Sequence, residues 1–269
     1  MAELQIRFFS QAISRFTTVQ MCLPSDVPPM LREGNPHYQR PMKTLFLLHG
    51  YSGNSQDWLY GSRISDLAGL YNLAVVMPQG DNSFYLNGRG SDRKYEDFLC
   101  GDLVQFVRST FRLALRSEDT LIGGLSMGGF GAIHSALKHP EIYGKVFGLS
   151  SALICEDIRG LKPGEQNDIA DYDYYTGVFG DLNTLDTSDK NPWFLLKQYR
   201  AQGRTIPSLY MAIGTEDFLL ETNRSFRDAV RREGFTLSYH ESPGVHDWNF
   251  WNTYLEPAIR WALEEEEQA

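Results

Sequence analysis

Between a strand-like Thr120-Leu121-Ile122 and a helix-like stretch running to Lys138 stands Gly123-Gly124-Leu125-Ser126-Met127-Gly128-Gly129-Phe130-Gly131, which contains G-x-S-x-G. Glycines two positions either side of a serine allow a strand-to-helix turn too tight for a Cβ, and such a turn exposes the hydroxyl above the edge of a sheet. The pentapeptide alone would also suit a tight turn made for packing. In its strand-turn-helix setting it predicts a nucleophile elbow. That reading requires a sheet to hold the strand, and a base and an acid to serve the serine.

The sheet is readable. Short apolar runs at 44–49, 73–77, 120–124, 146–150, 208–213 and 237–242 alternate with helical periods at 95–111, 127–138, 219–233 and 248–264. Continuous apolar strands between helices predict an α/β chain with a buried, mostly parallel sheet flanked by helices. Two further strands, 5–10 and 16–23, precede a loop containing Pro24, Pro28, Pro29, Pro36 and Pro41. In the helix after the elbow Phe130, Ile133 and Leu137 share a face, and Pro140 ends the period. No repeat is visible, and residues 1–269 read as a single domain. The acidic run Glu264–Glu267 reads as a solvated helix end. Residues 151–207 form an insertion carrying Tyr172, Tyr174, Tyr175, Phe179, Trp193 and Phe194. A connection of that length reads either as a lid or cap over the carboxyl ends of the strands, or as an insertion with its own aromatic core.

A serine hydroxyl needs a base, and the base needs a carboxylate to orient it. Of the histidines, His37, His134, His139 and His240 fall in a loop, helices and a strand, and read as packing or surface residues. His246 follows the last strand in a loop near the C-terminus, where the chain order Ser, acid, His of an α/β-hydrolase places the base. The acid must follow a strand between the two. Gly214-Thr215-Glu216-Asp217 follows the run 208–213, which points to Asp217, with Glu216 the nearest competitor and a helix N-cap the structural alternative. Asp247 adjoins the histidine and follows it, so it is a poor candidate. An oxyanion hole would take the main-chain N–H of Met127 and one from His49-Gly50-Tyr51-Ser52-Gly53, with Tyr51 the expected donor and His49 a loop-fixing residue.

Other classes are disfavoured. A net charge of −9 argues against nucleic acid and anionic membranes as partners. Cys22, Cys100 and Cys155 are widely spaced, and no His/Asp/Glu cluster has metal spacing, so neither a disulfide framework nor a metal or other cofactor is expected. With no long apolar segment or leader-like start, the expectation is a cytoplasmic protein.

The motifs Leu48-His49-Gly50-Tyr51-Ser52-Gly53-Asn54, Gly124–Ala132, Gly214-Thr215-Glu216-Asp217-Phe218 and Pro243-Gly244-Val245-His246-Asp247-Trp248 together resemble the tributyrin esterase family of esterase D-like α/β-hydrolases. Feruloyl esterases, acetylxylan esterases and S-formylglutathione hydrolases are its relatives. The resemblance runs from about Thr44 to the C-terminus. It implies a Ser126–Asp217–His246 triad, an oxyanion hole from the main chains of Tyr51 and Met127, and hydrolysis of esters with small acyl groups. It also places Trp58, Tyr85 and Trp248 near the substrate. Phe130 and Trp248-Asn249-Phe250-Trp251 stand where the S-formylglutathione branch usually differs, which ranks that branch lower. The expected function is a serine carboxylesterase acting on a small-molecule or oligosaccharide ester, acetyl, butyryl or feruloyl. S-formylglutathione hydrolysis and acyl transfer are the alternatives within the fold. A non-catalytic binding protein would have no use for an intact serine, acid and histidine set. An oligomer is compatible with the sequence.

Overall fold

Burial on both faces explains why the middle strands read as unbroken apolar runs. In the computed structural model, which describes residues 1–263, the strands are β1 (Ala2–Ser10), β2 (Arg15–Leu23), β3 (Lys43–Leu48), β4 (Leu73–Pro78), β5 (Thr120–Leu125), β6 (Lys145–Leu149), β7 (Ser208–Gly214) and β8 (Ser238–Ser242). They form one eight-stranded sheet in the order β1-β2-β4-β3-β5-β6-β7-β8. The β1–β2 hairpin and its junction with β4 are antiparallel, and every other pairing is parallel. Alternate residues serve two cores: Phe46, Leu48, Ile122, Val146 and Met211 face one side, and Leu45, Leu47, Leu121, Phe147 and Tyr210 the other. β1 lies at an edge, and its side chains alternate between half-buried and exposed.

Registers such as Leu48↔Gly124, Leu125↔Leu149 and Gly214↔Ser242 bring the carboxyl ends of β3, β5, β6, β7 and β8 to one rim. The loops that leave this rim carry the residues singled out above. The predicted helix over 95–111 forms as one helical run, but Phe98–Leu103 is wound as a π-helix. The acidic run Glu264–Glu267 lies outside the described residues.

The helix Met127–Lys138 departs from the amphipathic expectation, because every residue from Met127 to Leu137 is buried. The insertion covers its outer side. Phe130 packs on Phe179 with ring centroids 5.7 Å apart, His134 Nε2 bonds the Asp189 carbonyl at 2.9 Å, and the Tyr199 hydroxyl donates to the Leu137 carbonyl at 2.9 Å. Burial lowers the pKa of His134 to about 4, so its imidazole is neutral inside the core. The insertion contributes the helices Cys155–Ile158, Tyr172–Phe179 and Pro192–Ala201. Most of its aromatic residues build core: Tyr175, Phe179 and Trp193 are buried, and Trp193 meets Phe226 with centroids 5.0 Å apart. Among the described residues no helix is long and apolar enough to cross a membrane.

Candidate active site

β5 ends at Leu125 and the next helix begins at Met127, so Ser126 makes the turn alone. Its φ is +51°, a left-handed conformation that costs a non-glycine residue on the order of 1–3 kcal/mol. The surroundings hold it there. The Ser126 N–H donates to the Leu149 carbonyl at 2.9 Å, and the Ser126 carbonyl accepts from the N–H of Ala152 at 2.9 Å and of Phe130 at 3.0 Å. A Cβ on Gly128 would stand 2.3 Å from the Leu48 carbonyl oxygen, and one on Gly124 would stand 2.5 Å from the Gly128 main chain. The end of β3 and the elbow touch through backbone, which is why both positions are glycine.

His246 Nε2 lies 3.0 Å from Ser126 Oγ, and His246 Nδ1 lies 2.9 Å from Asp217 Oδ2. A carboxylate only accepts, so the Nδ1 proton points to Asp217 and Nε2 is left to accept the serine proton. The Asp217 side chain is fully buried. Its other oxygen, Oδ1, accepts the Leu219 N–H at 2.9 Å, so this aspartate both caps the following turn and orients the imidazole. Trp251 meets the His246 ring edge-on at 5.1 Å.

Glu216, the competitor for the acid role, is turned elsewhere. Its Oε2 accepts the Gly244 N–H at 2.6 Å, while its own N–H donates to the Gly244 carbonyl at 3.0 Å. These bonds clamp the acid loop to the histidine loop. Asn223 ties the acid loop to the elbow, since its Nδ2 donates to the carbonyls of Leu219 at 2.9 Å and Ser151 at 2.8 Å, beside the Ala152 N–H that holds Ser126.

The loop after β3 is pinned from below. The imidazole of His49 is buried, its Nδ1 lies 2.8 Å from the Gly50 carbonyl, and its Nε2 accepts the Gly80 N–H at 2.8 Å. Burial lowers the pKa of His49, so it serves as a neutral strut. Ser52 sits at φ +59° and donates its N–H to Asn82 Oδ1 at 2.7 Å. Between these anchors Gly50 presses on the elbow, where an added Cβ would lie 2.8 Å from the Leu125 side chain and 3.5 Å from Ser126 Cβ. Among the described residues no acceptor takes the main-chain N–H of Tyr51 or of Met127. The arrangement thus brings a serine hydroxyl, an imidazole, a buried carboxylate and two main-chain amides to one rim.

Of the remaining predicted residues, Trp58 and Tyr85 are buried and present almost no surface to a ligand. Trp58 is 1% exposed and donates its indole N–H to the Leu48 carbonyl at 2.9 Å, and Tyr85 is wholly buried with its ring against Gly131 and Gly80. Both belong to the core behind the site, because their polar atoms find main-chain partners there. Trp248 is half-buried, wedged on Gly61 and edge-on to Trp58 at 5.2 Å. Tyr174, named from the sequence only as one of the insertion's aromatic residues, was not singled out as a site residue. It is the aromatic residue of the insertion that meets the loop after β3, edge-on to Tyr51 at 5.7 Å. A cavity of about 330 Å³ opens there, with Arg15, Asp81, Asn82, Arg93 and Tyr174 in its wall. Among the described residues no group of His, Cys, Asp and Glu could hold a metal ion.

Residues 10–262 match the model of the Esterase family. An acetyl esterase of Caldicellulosiruptor saccharolyticus is 41% identical over 261 residues, which cover 97% of this chain and 98% of that relative. Among solved structures, substrate-bound FphF, a fluorophosphonate-binding serine hydrolase of Staphylococcus aureus, is 28% identical with a TM-score of 0.83, over 98% of this chain and 99% of its own. An S-formylglutathione hydrolase of the same organism is also 28% identical, with a TM-score of 0.81 over 98% and 99% of the two chains.

Proposed function

The chain belongs to the esterase family and is a serine carboxylic-ester hydrolase, and we propose that Ser126, His246 and Asp217 carry its chemistry on esters with short acyl groups, acetyl foremost. The observation that carries the assignment is the continuous line from Ser126 Oγ through His246 to buried Asp217, at a strained elbow beside two open amides.

In this reading His246 Nε2 takes the Ser126 proton as Oγ bonds to the ester carbonyl carbon. The carbonyl oxygen gains negative charge and is met by the N–H groups of Tyr51 and Met127. The bond from carbon to the alcohol oxygen then breaks, and His246 returns its proton to that oxygen. Water, deprotonated by the same nitrogen, attacks the acyl-serine and releases the acid, and Ser126 recovers its proton. Asp217 keeps the Nδ1–H bond throughout and stabilises the imidazolium.

The acetyl preference rests on the 41% identical acetyl esterase and on the cavity beside Tyr51. That cavity balances two guanidinium groups, Arg15 and Arg93, against two carboxylates, Asp81 and Asp92. A glutathione thioester brings net negative charge and finds no matching excess of positive charge there. The insertion contributes Tyr174 as one wall of the substrate cleft.

Labelling with a fluorophosphonate and hydrolysis of p-nitrophenyl acetate test the assignment together. Ser126→Ala should lose the label and lower turnover by roughly 10⁶. A fall of less than tenfold would overturn it.

A further inference from the structure

Phe218 is 67% exposed although the residues on either side of it, Asp217 and Leu219, are buried. Its backbone is not free to turn inward, because Asp217 Oδ1 holds the Leu219 N–H and Glu216 is bonded to Gly244. The exposed ring lies against the imidazole of His246, with centroids 4.7 Å apart and planes tilted by 50°. Val245, next to His246 on the clamped histidine loop, is 48% exposed. The His246 side of the rim thus presents bare apolar surface, whereas the Tyr51 side carries the charged and amide groups of the cavity.

The reaction itself says which half of an ester meets which side. The acyl carbon stays on Ser126 Oγ and its oxygen turns to the amides of Tyr51 and Met127. The alcohol oxygen must come within hydrogen-bond reach of His246 Nε2 to receive its proton. Whatever is attached to that oxygen therefore lies next to the imidazole, against which the Phe218 ring packs. Resting on the esterase reading above, we infer that Phe218 is the platform for the alcohol half of the substrate, and that the site favours leaving alcohols bearing a flat aromatic ring close to the oxygen. An offset or edge-on ring pair gains more from this surface than an alkyl chain of equal area. A polyhydroxylated alcohol would find no hydrogen-bond partner on Phe218 or Val245.

The test compares benzyl acetate with ethyl acetate, which leave the same acetyl group on Ser126 and differ only in the departing alcohol. Active enzyme is counted by fluorophosphonate labelling, so that misfolded protein does not enter the rates. In Phe218→Ala the ratio of kcat/KM for benzyl acetate over ethyl acetate should fall roughly fivefold, and Phe218→Tyr, which keeps the ring, should restore it. A ratio within twofold of wild type in Phe218→Ala overturns the inference, whether both rates fall together, as they would if Phe218 merely shields the imidazole, or neither does. Ser126→Ala run in parallel separates the two claims. If it still hydrolyses both esters, the serine assignment has failed and not the alcohol platform.

Discussion

The hydroxyl of Tyr174, on the insertion, donates to the main-chain carbonyl of Asn82 at 2.8 Å. Asn82 in turn holds the Ser52 N–H through its side chain at 2.7 Å, next to the amide assigned to the oxyanion. A residue of the insertion thus braces the loop that carries the Tyr51 amide. Tyr174→Phe keeps the ring against Tyr51 and loses the brace. Its kcat on p-nitrophenyl acetate should fall several-fold with little change in melting temperature. Asn82→Ala also releases Ser52 from its strained conformation, and should cost about tenfold to a hundredfold, below the direct loss of an oxyanion donor. Steady-state kinetics on both variants check this order.

His49 supports the same loop without touching the substrate. His49→Ala strands the Gly80 N–H inside the protein, which costs about 1–3 kcal/mol, and it also frees the Gly50 turn. Stability and kcat should therefore fall together. Thermal melts and rates measured on one preparation would show whether they do.

Asp217 and Glu216 are neighbours with separable duties. Asp217→Asn disturbs the tautomer of His246 and should lower kcat by about 10⁴. Glu216→Gln retains an oxygen acceptor for the Gly244 N–H and should stay within several-fold of wild type, with Glu216→Ala falling further as the histidine loop loosens. Comparable losses in Asp217→Asn and Glu216→Gln would contradict the division of roles.

At the far end of the elbow helix, pH acts on stability. His139 Nε2 lies 3.1 Å from Glu96 Oε1. The neighbouring Cys100 first and the Glu96 carboxylate second raise His139 from its ordinary 6.5 to about 10. The stability this gives is complete below pH 6.5 and is lost as pH rises toward 10. Burial opposes the Glu96 carboxylate, but its bond with His139 and the nearby basic groups prevail and lower it from 4.5 to about 2. That contribution is present above pH 4.5 and disappears as pH falls toward 2. Melting temperature should therefore decline from pH 7 to 10 in the wild type, and His139→Gln should flatten this alkaline limb.

Gly128→Ala should fail in a different manner. The new methyl would meet the Leu48 and His49 carbonyl oxygens at 2.3 and 2.6 Å, and neither can yield without moving β3. Folded protein should be scarce, measured as soluble yield. Gly101→Ala, whose methyl would meet nothing within 4 Å, is the control.

What could be read from the sequence follows what is local or periodic. The tight turn at Ser126 was legible because its glycines, its strand and its helix are contiguous, and the loops of Asp217 and His246 because each follows a strand. Trp58 and Tyr85 were misplaced because an aromatic residue near a cleft motif looks alike whether its ring faces solvent or core. Only the bonds to the Leu48 and His49 carbonyls show that both face inward. Tyr174 could not be singled out for a related reason. It is one of several tyrosines in the insertion, and nothing local distinguishes it from Tyr175, which is buried. The short helices Asp57–Gly61 and Ile64–Leu70 are too brief for a period to emerge.

The elbow helix is enclosed by the sheet on one side and the insertion on the other, and this limits how such an enzyme can be altered. Phe130, His134 and Leu137 each spend part of their surface or hydrogen bonding on residues of the insertion. The insertion is therefore also the outer wall of the helix that begins beside Ser126. Exchanging residues 151–207 for a relative's segment would strip that helix unless its outward-facing residues were exchanged as well. A single replacement at Phe218, which is largely exposed, offers a less disruptive way to retune the substrate.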